Sequence, residues 1–169
     1  MYRMTLQILL LSASLLLVSY AWALQSDQSQ GYIIRADHSD IQFLKKHVTV
    51  LTGHVHAQQG SSELAGDKVV LELDKNNKTI LKITNYGKPA TYSTLQENQK
   101  EPLNVSADTI EYTPATGIMV LTNNAVVTQG NDVIKAAYIK YDVKKQIMIS
   151  DGNKNNSQTT IILQPKDLN

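Results

Sequence analysis

Asp37-His38-Ser39-Asp40 gathers every side-chain type of a hydrolytic triad. Contiguous residues cannot align nucleophile, base and orienting acid in one chain of hydrogen bonds, so the expected role is a polar turn in which Asp37 accepts from nearby backbone amides. His54 and His56 stand two apart in a strand-like stretch, which places both side chains on one face, and His47 is not far away. That spacing could hold a metal. No cysteine or clear carboxylate partner accompanies them, so solvated surface histidines, with no metal and no other cofactor, are the expectation. A Gly-x-Ser-x-Gly elbow, a phosphate-cradling glycine loop and a dinucleotide fingerprint are all missing from the sequence. The residues read as those of a protein that is not an enzyme.

The tyrosines are more informative. Tyr32, Tyr92, Tyr112 and Tyr141 fall in register with Ile34, Ala90, Ile110 and Ile139 at i±2. Ordinary core packing, with each hydroxyl reaching a backbone partner, is one reading; a lining for a lipid, whose acyl and polar parts both suit an amphipathic ring, is the other.

The elements that must position these side chains are strands. Val69, Leu71 and Leu73 alternate with Val70, Glu72 and Asp74, and Ile139, Tyr141 and Val143 with Tyr138, Lys140 and Asp142. Turn chemistry separates such runs at 74–78, 87–89, 113–117, 130–132 and 151–153. The chain also repeats itself. Ala36-Asp37 recurs as Ala107-Asp108, 71 residues on, while Val50-Leu51-Thr52-Gly53 recurs as Val120-Leu121-Thr122-Asn123, and Gln59-Gly60 as Gln129-Gly130, each 70 residues on. A duplicated multi-strand unit points to stacked hairpins sharing one core. The runs and turns predict about 14 to 16 short strands in two packed sheets of about eight, a slab close to 40 Å long at about 4.8 Å per strand. Two open edges follow, one carrying Tyr32, Ile33, Ile34 and Arg35, the other Thr159, Thr160, Ile161, Ile162 and Leu163. Only Arg35 interrupts either, and edges so poorly guarded by charge are docking sites or aggregation liabilities.

Composition narrows the setting. Residues 1–23 hold Arg3, an apolar run from Leu6 to Val18 and Ala21-Trp22-Ala23, the pattern of a cleaved secretory signal peptide, with too few apolar residues to span a bilayer of about 30 Å. Residues 24–31 are expected to be a flexible lead, 32–165 the folded domain and 166–169 a frayed tail. Removing residues 1–23 takes away one of the 16 basic residues and none of the 15 acidic ones, leaving zero net charge and Arg35 as the last arginine. Such a surface disfavours nucleic acid. An exported chain with 0 Cys must hold its fold by a core and ladders, without disulfides.

Within this frame Tyr86-Gly87-Lys88-Pro89-Ala90-Thr91-Tyr92 resembles the signature of the OstA-like family of periplasmic lipopolysaccharide-transport proteins. Leu51-Thr52-Gly53-His54-Val55, Gly66-Asp67-Lys68-Val69, Gln59-Gly60 and Gln129-Gly130 are similar to the same family, and the likeness runs from about Tyr32 to Pro165. The second copy departs from the first, with Asn123 for Gly53 and Ala136-Ala137 for Gly66-Asp67. The resemblance implies an all-β, twisted antiparallel β-jellyroll and a binding role, with lipopolysaccharide held by its lipid A part inside the roll. It further implies head-to-tail self-association and a bridge from inner to outer membrane, with an LptC-like inner-membrane partner at the N-terminal edge and an LptD-like outer-membrane partner at the C-terminal edge.

Transfer energetics fit that role. A methylene is worth about 0.8 kcal/mol, so a 12-carbon chain bare in water costs roughly 10 kcal/mol, and a lipid must cross shielded. Alternation, with Tyr92 as the family-like anchor, selects Ile34, Leu51, Leu71, Ile83, Tyr92, Ile110, Tyr112, Leu121, Ile139, Tyr141 and Ile149 as the lipid lining. The competing reading is a structural periplasmic adaptor whose edges dock proteins and whose core takes no lipid.

Overall fold

Period-two sequence becomes sheet here through a set of long strands. The computed structural model describes residues 27, 30–42, 47–97, 99–152 and 158–164. The expected signal peptide, the frayed tail and most of the expected lead lie outside them; Asp27 and Gln30 do not, and both make hydrogen bonds at the first hairpin tip, Ser61 Oγ donating to Asp27 Oδ2 at 2.5 Å and Gln59 Nε2 to the Gln30 carbonyl at 3.1 Å. Ten strands are present among the described residues: β1 (Ile33–Arg35), β2 (His38–Gln42), β3 (Val48–Gln59), β4 (Ser62–Leu73), β5 (Ile80–Thr94), β6 (Leu103–Thr113), β7 (Ile118–Gln129), β8 (Asp132–Asp142), β9 (Ile147–Asp151) and β10 (Thr160–Ile162). They form one antiparallel sheet in the order β1-β3-β4-β5-β6-β7-β8-β10, with β2 also on β3 and β9 also on β8.

Each strand from β3 to β8 skips register near its middle: at 52–55 on β3, 65–68 on β4, 86–90 on β5, 106–109 on β6, 122–125 on β7 and 136–138 on β8. β1 and β2 are likewise two halves of one line, broken at Ala36-Asp37, as are β9 and β10. The expected 14 to 16 short strands are therefore ten, six of them crossing a shared line of bulges. The two expected sheets are two eight-segment halves of a single hydrogen-bonded sheet bent along that line. The reason is that a bulge breaks pairing and bends a strand without reversing the chain. Gly87-Lys88-Pro89, expected as a turn between strands, lies inside β5 for this reason, with Lys88–Pro89 cis.

Particular residues make the bend. Gly53 (φ 77°) and His54 (φ 42°) carry it on β3, Asn123 (φ 60°) and Asn124 (φ 52°) on β7, the left-handed region that glycine and asparagine tolerate best. A Cβ at Gly53 would collide with the Asp37 carboxylate, and one at Gly66 with the Asn85 side-chain carbonyl. Fully buried Asn85 spans the skipped register, its Nδ2 donating to the Ala65 carbonyl at 3.0 Å and the Thr91 carbonyl at 3.3 Å. Beside the line the inward positions are small, with Ala90, Ala107 and Ala125 buried, and this lets the halves close on each other.

Their inner faces share a core. From one half come Ile110, Met119, Leu121, Ile139 and Tyr141, from the other Leu103, Val105 and Val127. A second, smaller cluster nearer the N-terminal edge holds Leu51, Val55 and Val69, with Leu64, Leu71 and Ile83 packed against it.

Candidate functional site: an apolar seam between the half-sheets

Register lines the inner face up in rows. Leu51, Val69, Asn85, Ile110, Leu121 and Ile139 stand opposite one another from strand to strand. A second row runs Thr49, Leu71, Ile83, Tyr112, Met119, Tyr141, Met148. On the other half the matching row is Ile34, Ala57, Leu64, Tyr92, Val105, Val127, Ile134, Ile161. Ten of the eleven residues expected to line a lipid path occupy these rows. Ile149 does not. It stands opposite Lys140 on the outer face, 60% exposed, and Met148 takes the inward place. The alternation of Ile147 and Ile149 is real, but only the pairing partner decides which parity faces the core.

The ten divide by packing. Leu51, Ile110, Leu121, Ile139 and Tyr141 are closed core, with Leu121 and Ile139 at 0% exposure and the Tyr141 hydroxyl accepting from Gln96 Nε2 at 3.1 Å. Ile34 is exposed and Leu71, Ile83, Tyr92 and Tyr112 are partly buried along the apolar seam between the half-sheets, Leu71 and Ile83 with Leu64 against the smaller cluster and Tyr92 and Tyr112 against the larger core. Burial, reinforced by the neighbouring Tyr92 and Tyr32 phenols, pushes the Tyr112 pKa up to about 12. Leu64 escaped the sequence reading. The signal for it was its two-residue spacing from Gly66 in a strand whose register only β5 reveals.

The polar candidates separate from this seam. Asp37 is no turn: its N–H donates to the Gly53 carbonyl at 2.9 Å, β2 begins at His38, and its carboxylate accepts from His54 Nδ1 at 2.8 Å instead of from backbone amides. The bulge supplies the reason, since it turns His54 toward the break between β1 and β2. That hydrogen bond, then the Asp37 charge, raise the His54 pKa above 6.5. The second unit repeats the arrangement with Asn124 Nδ2 donating to both Asp108 carboxylate oxygens at 3.1 and 3.2 Å. His56 stands opposite Arg35 and Ala65, and His47 Nδ1 meets Asn77 Oδ1 at 2.9 Å. A cavity of about 310 Å³ lies against the outward-facing side chains of His56, Glu63, Thr91, Ser93, Asn104 and Thr128, and Leu64, Ala65, Tyr92, Val105 and Val126 also line it.

Among the described residues both ends of the sheet are open. The path terminates at β1 and β10, the edges read from the sequence, and the structure adds β2 and β9, which the sequence reading missed. Ile33, Ile34 and Ile41 are exposed at one end and Ile147, Ile149, Ile161 and Ile162 at the other.

A bent antiparallel sheet whose two halves enclose an apolar inner face defines a β-jellyroll. The sequence profile of the family described as "LptA/(LptD N-terminal domain) LPS transport protein" matches residues 33–147, and the chain belongs to that family. It is 34% identical over 156 residues to the lipopolysaccharide export system protein LptA of Escherichia coli K12, covering 92% of this chain and 83% of the relative. To the lipopolysaccharide export system protein LptH of Pseudomonas aeruginosa it is 34% identical over 155 residues, covering 88% and 87%. The crystal structure of LptH, described as the LptA-homologous periplasmic component of the lipopolysaccharide transport device of that organism, superposes with a TM-score of 0.72 at 28% identity, covering 83% of this chain and 99% of LptH.

Proposed function

We propose that this protein is a periplasmic lipopolysaccharide carrier that bridges inner and outer membranes, holding lipid A acyl chains along the seam between the half-sheets. The observation that carries the reading is the inward apolar row that runs from Ile34 at one open edge to Ile161 at the other, in a chain of a lipopolysaccharide-transport family. Acyl chains shielded along such a row exchange one apolar environment for another, so transfer is close to isoenergetic and direction is imposed from outside. The N-terminal edge receives an LptC-like inner-membrane partner and the C-terminal edge an LptD-like outer-membrane partner, and copies associate head to tail.

Photo-crosslinking side chains at Tyr92 and Tyr112 test this: both are expected to capture lipopolysaccharide in cells, whereas the same probe at outward-facing Glu72 and Lys140 captures none. Equal capture at all four positions would overturn the seam as the lipid path. The closed packing around Leu121 and Ile139 favours the adaptor reading for that part of the core, and purified protein free of extractable lipopolysaccharide would favour it for the whole molecule.

A further inference from the structure

Along the line of bulges, hydrogen bonds hold Asn85, His54 and Asn124 in place. A different bond spans the halves at the rim away from that line. Gln96 lies two residues past the end of β5, on the half that carries Tyr92 and Val105. Its Nε2 donates at 3.1 Å to the hydroxyl of Tyr141, which sits near the end of β8 on the half that carries Tyr112 and Leu121. Both side chains are enclosed, Gln96 at 3% and Tyr141 at 6% exposure. Gln96 is also held from its own side. Its Oε1 accepts from Gln129 Nε2 at 3.3 Å, and Gln129 Nε2 reaches the Glu101 carbonyl at 3.4 Å. A polar chain Gln129–Gln96–Tyr141 therefore crosses from one inner face to the other in the second unit of the duplication, β6 to β10.

Among the described residues the first unit, β1 to β5, has no counterpart. Leu71 stands 70 residues before Tyr141, opposite Thr49 as Tyr141 is opposite Met119, and has no side-chain atom to take up such a bond. Gln59 stands 70 residues before Gln129, and its Nε2 goes instead to the Gln30 carbonyl at 3.1 Å. The packing differs in the same sense, since Leu71 and Ile83 are partly buried whereas Leu121 and Ile139 are sealed.

We propose that Gln96 and Tyr141 form a latch that keeps the half-sheets of the second unit closed while it is empty, and that acyl chains enter this unit only when the latch releases. This rests on the lipid-carrier reading given above and adds a control point to it. The inward row Tyr92, Val105, Val127, Ile134 passes across the strands between Gln96 and Tyr141. With Leu121 and Ile139 sealed, an acyl chain finds room there only if the halves part about the bulges. Parting them draws the Tyr141 hydroxyl away from Gln96, and both groups then regain water. A buried hydrogen bond whose partners are rehydrated on opening contributes only modestly to closure, so apolar contact with an acyl chain can outweigh it.

Gln96→Met and Tyr141→Phe each remove the bond while nearly keeping side-chain shape, and circular dichroism should show the wild-type fold in both. Purified chains carrying the photo-crosslinker benzoylphenylalanine at Tyr92 or at Ile134 are irradiated with added lipopolysaccharide. In Gln96→Met, capture at Ile134 is expected to rise at least about fivefold while capture at Tyr92 stays within about twofold; Tyr141→Phe should raise capture at Ile134 likewise. Unchanged or lower capture at Ile134 in both variants, with capture at Tyr92 intact, would overturn the latch and leave the carrier reading standing. No capture at Tyr92 in any chain would overturn that reading and the latch with it. The wild-type chain gives a second readout by NMR. Its Gln96 side-chain amide protons are expected to exchange with solvent at least about tenfold faster once lipopolysaccharide is bound. Equally slow exchange in a loaded chain that captures lipopolysaccharide at Tyr92 would overturn the release.

Discussion

His54 illustrates how much one residue can hide. By type and spacing it read as a solvated histidine with a conceivable metal role, but the bulge spends it on Asp37, where an exposed hydrogen bond and a close charge keep its proton. The sign follows directly: the protonated ring strengthens the pairing, so the stabilisation is complete below about pH 6.5 and fades as pH rises through the raised pKa. NMR titration is expected to place the His54 midpoint above 6.5, and Asp37→Asn to return it toward its ordinary value; an unchanged midpoint would exclude Asp37 as the cause. Leu121 is the opposite case. Alternation gave its inward face and assigned it to a lipid lining, whereas the structure encloses it fully, so Leu121→Ala is expected to cost about 2–5 kcal/mol in urea denaturation. Asn85, a buried polar residue among Leu, Val and Ile, gave no sequence signal, because its hydrogen bonds go to two carbonyls that are neighbours only across the bulges.

Among the elements, the bulged strands explain why the strand number was overestimated. Turn-forming residues such as Gly87-Lys88-Pro89 mark a loss of ladder pairing, and the sequence cannot tell whether the chain then reverses or merely bends. The edges were legible because β1 and β10 lie near the ends of the chain and are rich in isoleucine. β2 and β9 were not, since Asp37-His38-Ser39-Asp40 looks like loop and Ile149 was assigned to the interior. Proline at Ile34 or at Ile161 is expected to abolish concentration-dependent association in light scattering while circular dichroism stays that of the folded domain, because each strand is three residues long and contributes little to the core. Oligomers that persist in both variants would remove these edges from the contact.

For the molecule as a whole, the question is which part of the inner face is free to receive a ligand. The cluster around Leu121 and Ile139 is closed, whereas Ile83, Tyr92 and Tyr112 are only partly buried at the periphery of the core. Ile83→Glu is therefore expected to cut lipopolysaccharide capture by about tenfold or more, since a carboxylate in an apolar contact costs well over 1.4 kcal/mol, while Ile149→Glu on the outer face leaves capture at the wild-type level. Co-purified lipopolysaccharide per chain measures both, and equal losses would contradict the division of faces.

Alternation, turn chemistry and a 70-residue echo were enough, without any structure, to set an all-β, duplicated, antiparallel chain with a family-like Gly-Lys-Pro-Ala-Thr segment, because these are local or periodic properties that a strand must write into its sequence. Tertiary structure alone decided that the two sheets are halves of one, that Met148 and not Ile149 faces inward, and that Leu121 is sealed while Tyr112 is only partly buried. Those facts depend on what stands opposite each residue across the bend, and period two names two faces without saying what covers either.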